Sequence, residues 1–417
     1  MIVLKGRVLD GNGGAPIEKG AVVLEDDRIR LVCRQSELPD DPTAEVYELE
    51  DGTIMPGLID AHVHMGWGSA TAVDWISMTP QLSMARALRD MAQLRQQGYT
   101  AFRDLGSDVL LMRPAVAEGL LDVPRIFGAG RIISQIGGHG DVYQKLSLEA
   151  SQRAYSPAFI VNGVDEVRRA CRINARNGAD LIKIMTTGGV FSQGDKATPH
   201  SHFSQEEIRA AVEEENMGSY VSTHAQATRG IKMALKNGVK CIEHGFYLDE
   251  ECIELMVKND CYLVPTLAIM HASKLYFQGK EGVLPYLKEK TERSYEAHYR
   301  SLEMARKAHI TVGVGCDFLG DAAFGCPYSE ATLELERLCV AGYTPMEVIT
   351  MATKVNARLL QMEDQLGTLE TGKLADVLLV EGRPDEDIRV LRRSDHVKLV
   401  VQDGRIVKNA MPHTAKA

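Results

Sequence analysis

None of the eight cysteines of this 417-residue chain stands in a Cys-x-x-Cys pair. Most fall in apolar runs, where cysteine behaves as a small hydrophobe. Basic runs longer than a few residues are also missing, and the formal net charge is −10. Phosphate binding needs clustered lysine and arginine, so nucleic acid is not the expected partner. No apolar stretch is long enough to span a bilayer. No basic segment followed by an apolar one opens the chain, so no secretory leader is expected. Internal repeats and low-complexity segments are lacking. With 45% hydrophobic and 25% charged residues, the composition is ordinary for a globular protein whose core needs no covalent staple. These absences predict a cytoplasmic protein with no membrane or nucleic-acid partner; a small-molecule substrate and a homo-oligomer are also expected.

The two ends of the chain share one texture. Strand-like runs at 2–9, 21–25 and 28–33 are separated by turns at Asp10-Gly11-Asn12-Gly13-Gly14 and Asp26-Asp27. Further runs follow at 375–381, 397–401 and 405–407, with Asp403-Gly404 as a turn. Residues 1–55 and 365–417 are therefore expected to build one small β-sandwich accessory domain. The middle, 56–364, alternates. Apolar β-runs at 58–64, 100–104, 125–129, 181–185, 220–224, 240–244, 262–266 and 311–317 are interspersed with helical stretches. Clear helices are expected at 83–97, 164–177, 204–215, 229–237, 249–258 and 295–307, and a closing helix at 344–360. Eight β-runs in this rhythm predict an α/β fold, a (β/α)8 TIM barrel, over a doubly wound open sheet.

Several of these runs end in a residue fit for metal or proton chemistry, and in a barrel the C-terminal strand ends converge on one face. In Asp60-Ala61-His62-Val63-His64 the two histidines are two apart, so both point the same way and can grip one cation. Lys183, flanked by Ile182 and Ile184, should point inward, where an ammonium is costly. It is either paired with a buried carboxylate or converted by carbon dioxide to a carbamate that bridges two cations. His224 and His244 close consecutive runs and fit a second metal or a hydrogen-bonded core position. Asp317 closes Val312-Gly313-Val314-Gly315-Cys316-Asp317, as a helix cap or as a metal ligand and general base. As a set, these residues describe a two-metal hydrolase centre whose bound water would have its pKa lowered to about 7.

On these motifs the chain resembles the amidohydrolase superfamily, binuclear branch, over nearly its whole length, including Leu366-Gly367-Thr368-Leu369-Glu370-Thr371-Gly372-Lys373-Leu374-Ala375-Asp376. Ile136-Gly137-Gly138-His139-Gly140-Asp141, Thr186-Thr187-Gly188-Gly189 after Lys183, and Ile242-Glu243-His244-Gly245 resemble its prolidase-like and carboxypeptidase-like group. The resemblance implies two divalent metals, zinc by preference, with carbon dioxide or bicarbonate supplying the carboxylate on Lys183. It places His62, His64 and Asp317 at the first metal, Lys183 at the bridge and His224 and His244 at the second. Asp317 and His139 would be catalytic, His139 also holding substrate. Prolidase-type members carry a tyrosine where Gln226 stands, so proline dipeptides are not the obvious substrate here. Gln226 and Arg229 are candidate substrate residues, although Arg229 also suits the first turn of a helix.

The expected reaction is hydrolysis of an amide or peptide C–N bond in a dipeptide or N-acyl amino acid. Hydrolysis of a carbamate, phenylurea, anilide or ester by the same centre is the alternative. A deaminase would place a glutamate where Ala225 and Gln226 follow His224, and a non-enzymatic scaffold would have lost ligands. His200-Ser201-His202 reads as a loop or lid before a helix, and His271, His298 and His309 as structural. The segment Met65-Gly66-Trp67-Gly68 after the first metal motif, together with Tyr143 and Tyr247, is a candidate to line the pocket.

Overall fold

The structure is a computed structural model that describes residues 1–68, 75–190, 192, 201–214, 220–281, 283, 285–320 and 325–411. His200 of the second His-x-His, the last residue of the helix expected at 204–215, and 412–417 lie outside the described residues. The chain divides into two compact units, one of Met1–Asp60, Ala92–Ala101 and Ser329–Ala417 and one of Ala61–Met91 and Phe102–Tyr328.

The first unit draws on both chain ends. Strands β1 (Ile2–Val8), β2 (Ile17–Glu25), β3 (Arg28–Arg34) and β4 (Glu45–Pro56) come from the N-terminal part. Strand β1 is antiparallel to β2 and parallel to β4, while β2 and β3 form the hairpin expected at Asp26-Asp27. The sequence did not announce β4, because its first half is charged and largely exposed and gives no apolar signal. Register shifts in β1 against both neighbours mark bulges, which bend a sheet.

Strands β5 (Leu58–Val63), β6 (Tyr99–Asp104) and β7 (Arg125–Gly128) form a three-stranded sheet. Then come β8 (Ile132–Gln135), β9 (Ala158–Val161), β10 (Ile182–Met185), β11 (Val221–Ala225), β12 (Cys241–His244) and β13 (Tyr262–Val264), forming a sheet in the order β13-β12-β11-β10-β8-β9. All its pairings are parallel. All six helices expected between 83 and 307 are present, among them Val164–Arg176, Thr228–Lys236 and Glu250–Lys258. The pair β8–β9 is additional to the eight runs read from the sequence.

The C-terminal strands β14 (Val377–Glu381), β15 (Val397–Gln402) and β16 (Arg405–Asn409) complete the sheet of the first unit, in the order β16-β15-β14-β4-β1-β2-β3. Strand β14 lies antiparallel on β4, joining the two chain ends. Asp403 and Gly404 both have positive φ, as a two-residue hairpin of the I′ type requires. The seven strands join in one hydrogen-bonded sheet to which both chain ends contribute. Its core gathers Leu4, Val22, Ile54, Val377, Leu379 and Leu399. The helix expected at 344–360 is present but passes through a π-helical turn at Met351–Val355.

The run 311–317 is not a regular strand, yet its backbone is paired on two sides. Leu263 N–H donates to Thr311 O and Gly313 N–H to Leu263 O, at 3.0 and 2.9 Å. Ala61 N–H donates to Val314 O and Asp317 N–H to His62 O, both at 2.8 Å. Gly315 is needed for the approach: a Cβ there would lie 2.5 Å from His62 Cβ. Among the described residues no helix is long and apolar enough to cross a membrane.

Candidate metal centre

His62 lies in β5 and His64 one residue past its end, on the same face, and both reach one carboxylate oxygen. His62 Nε2 is 3.3 Å and His64 Nε2 3.2 Å from Asp317 Oδ1. The ligand atoms of these three side chains lie within 4.8 Å of one another. Asp317 has a φ of 58°. This left-handed backbone, strained for a non-glycine residue, ends the run 311–317 at the site.

The parallel register brings in the remaining residues. Lys183 pairs with Ser222 and Met185 with His224 across β10 and β11, and Ala225 pairs with His244 across β11 and β12. The His244 ring lies 5.1 Å from that of His62 and 4.4 Å from that of His224. Alternation along β12 would send Glu243 and His244 to opposite faces. The φ of 74° at His244 breaks the alternation, and both side chains meet His62. Thr266, also left-handed at 58°, sets its Oγ1 2.8 Å from His244 Nδ1.

Burial dominates the electrostatics. It pushes the Lys183 amine down to about 8, and its Nζ has no hydrogen-bond partner among the described residues. Burial also lowers His64 to about 4 and His139 to about 3, and holds His224 and His244 well below the usual imidazole range. Neutral imidazole is the form that binds metals. Burial would raise the Asp317 carboxyl, but His62 and His64 hold it well below the usual carboxylate range.

An inner layer missed by the sequence reading supports His62. Its Nδ1–H donates to Glu243 Oε2 at 2.7 Å, and Arg103 Nη2 donates to Glu243 Oε1 at 2.7 Å. Ser222 Oγ also donates to Glu243, and Arg103 donates to Ala61 O at 2.5 Å and to Tyr220 OH at 2.8 Å. Arg103 and Glu243 are both fully buried. The signal was available: each is a charged residue inside a short apolar β-run, as Lys183 is.

A cavity of about 190 Å³ is lined by all six expected metal residues and by His139, Gln226 and Trp67. His139 stacks on His224 at 4.1 Å and its Nδ1 lies 2.6 Å from Ser192 Oγ. Gln226 accepts from Val190 N–H through Oε1 at 3.0 Å, so its carbonyl end is engaged with the protein. Arg229, expected among the substrate residues, is exposed on the helix Thr228–Lys236 and does not line the cavity. As a helix-turn residue it follows the other reading of that position. Tyr143 and Tyr247 also lie outside the lining; Tyr143 packs with Trp75, and Tyr247 OH meets Ser294 Oγ at 2.9 Å. His202 is buried, with its backbone N–H on Thr186 O, and Ser201 bridges to Thr187.

The donor set fits divalent cations: buried imidazoles, of which His64, His224 and His244 are held toward the neutral form, an ionised carboxylate, and a buried amine with no hydrogen-bond partner among the described residues. Residues of these types at the ends of parallel strands are of the kind that metal-using hydrolases carry. The model of the amidohydrolase family matches residues 53–407, and the chain belongs to that family. It is 31% identical to the ochratoxinase of Aspergillus niger over 98% of this chain and 86% of that protein. Among solved structures it is similar to a prolidase complexed with N-methylphosphonate-L-proline, with a TM-score of 0.88 and 33% identity, covering 98% of this chain and 99% of that one. A Xaa-Pro dipeptidase with methionine in its active site matches with a TM-score of 0.86 and 29% identity, over 98% and 100% of the two chains. The chain is thus an amidohydrolase that resembles the prolidase-like group.

Proposed function

We propose that this amidohydrolase cleaves an amide or peptide C–N bond in a dipeptide or N-acyl amino acid, using two divalent cations. The observation that carries the reading is the convergence of His62, His64 and Asp317 beside the buried, partnerless Lys183 amine. His62, His64 and Asp317 would hold one cation and His224 and His244 the other. Imidazole with carboxylate-like oxygen suits zinc. Cations bound there polarise a scissile carbonyl and lower the pKa of water. Lys183 Nζ, as the neutral amine, would add to carbon dioxide and release one proton, turning the buried amine into an anion with two oxygens. Asp317 would take the proton of the attacking water and return it to the leaving nitrogen. His139, neutral and beside His224, would orient the substrate.

The hydrogen bonds of 311–317 to both β13 and β5 support a closed (β/α)8 barrel over 56–364. The sheet shared by both chain ends supports an accessory β-sandwich domain of 1–55 and 365–417. The engaged carbonyl of Gln226 favours a second reading, in which a carbamate, phenylurea, anilide or ester replaces the dipeptide. A screen of dipeptides, N-acyl amino acids, carbamates and anilides with zinc and bicarbonate present tests both. Turnover of the first two classes is expected; turnover of carbamates or anilides alone would select the second reading.

A further inference from the structure

Both tryptophans of the chain, Trp67 and Trp75, line the cavity that holds the metal-facing residues. The Trp67 ring lies 4.3 Å from the His64 ring, tilted by 31° to it, and Trp75 meets Trp67 edge-on at 4.9 Å and 82°. Trp67 Nε1–H donates to Gly106 O at 2.6 Å. The one polar group of the indole is thereby engaged with the protein, leaving apolar ring surface.

The loop carrying Trp67 is fixed by its backbone. Met65 N–H donates to Asp104 at 2.7 Å, Gly66 N–H to Asp90 at 3.1 Å and Gly68 N–H to Leu319 O at 2.7 Å. Ile132 and Met185 pack with Trp67, Val142 packs with Trp75, and all three line the same cavity. Lys183 is the only lysine or arginine among the described lining residues. A rigid apolar wall beside a polar centre, left open to a cavity, is the usual form of a small-molecule subsite.

We propose that Trp67, Trp75, Ile132 and Met185 form a subsite for an aromatic or bulky aliphatic group attached next to the scissile bond. The substrate would then be an amide bearing a large apolar substituent rather than a small or purely charged one. This deepens the hydrolase reading and rests on it for the word substrate, but the binding surface can be tested without catalysis.

Because both indoles sit at the subsite, intrinsic fluorescence reports its occupancy. The metal-loaded protein is titrated with 3-phenyl-1-propanol and with 1-propanol, neither of which carries a cleavable bond or a charge. A saturable change in tryptophan emission with the first and none with the second is expected. No saturable change with the aryl alcohol would overturn the subsite, even in an active hydrolase. In parallel, two amide substrates differing only in a benzyl or a methyl substituent are compared. The benzyl substrate should have at least ~10-fold higher kcat/KM. Trp67→Ala and the milder Ile132→Ala should shrink that ratio toward unity. Using a ratio removes any common loss through His64. A ratio unchanged in Ile132→Ala protein of normal Tm would also overturn the subsite. Aryl binding with no hydrolysis of any amide would overturn the hydrolase reading and leave the subsite standing.

Discussion

His62 donates its Nδ1–H to the Oε2 of Glu243 at 2.7 Å, with both side chains enclosed. The bond fixes which ring nitrogen carries a proton toward the interior and turns Nε2 toward Asp317. Arg103 completes the chain from the other side of the carboxylate. Glu243→Gln keeps the shape and removes the charge. Metal affinity should fall by ~10–100-fold, as for other partners of ligating histidines. Competition against a chromogenic chelator reads this directly. The Tm should fall as well, because Arg103 loses its counter-charge in a buried place. Unchanged metal affinity would remove Glu243 from the site.

Asp317→Asn keeps the size of the side chain and removes the proton acceptor. We expect kcat to fall by about 10²-fold or more, with a smaller change in KM. Steady-state kinetics at saturating metal is the check, and near-normal kcat would assign the base elsewhere.

Lys183 gives a pH dependence with a definite sign. Only the neutral amine adds to carbon dioxide, and burial lowers this amine to about 8. Starting from metal-free protein, reactivation by zinc and bicarbonate should accelerate from pH 6.5 to about 8 and level off above it. A rate still climbing steeply at pH 9.5 would indicate an ordinary lysine. Lys183→Ala should lose metal and activity, and small carboxylic acids should restore part of both. Lys183→Arg should not be rescued, since guanidinium stays cationic and fills the space.

The buried imidazoles make the metal-free protein sensitive to acid. His64 and His139 sit near 4 and 3 in the folded state, against 6.5 for an ordinary imidazole. The unfolded chain therefore binds more protons than the folded one between these values. Their contribution to stability is present above pH 6.5 and is lost as pH falls toward 4. His62 is shifted upward and opposes this in part. The Tm of metal-free protein should drop between pH 7 and 5, with a shallower drop in His139→Gln. A flat Tm over that interval would show that these rings are solvated.

The site was more legible in the sequence than the sheet that holds it. His62, His64, Lys183, His224, His244 and Asp317 announced themselves because each interrupts or closes an apolar run, and all six line one cavity. Glu243 was hidden by strand alternation, which assigns it the face opposite His244 until the backbone turns left-handed there. Ser192 and Thr266 carry no pattern; only the folded backbone brings them to His139 and His244. Strand β4 was invisible because its first half is charged and largely exposed. Arg229 misled because a cation near a site histidine says nothing about direction, and here it faces outward.

The central claim is that these six residues hold two cations and that Lys183 is needed for both. It is tested most directly by elemental analysis of the wild type and Lys183→Ala, each loaded with zinc in the presence of bicarbonate, desalted and assayed. The account predicts about two metal ions per wild-type chain, activity that a chelator removes and zinc restores, and far less metal in Lys183→Ala. Full hydrolytic activity in wild-type protein free of metal, or two tightly held metals in Lys183→Ala, would contradict it.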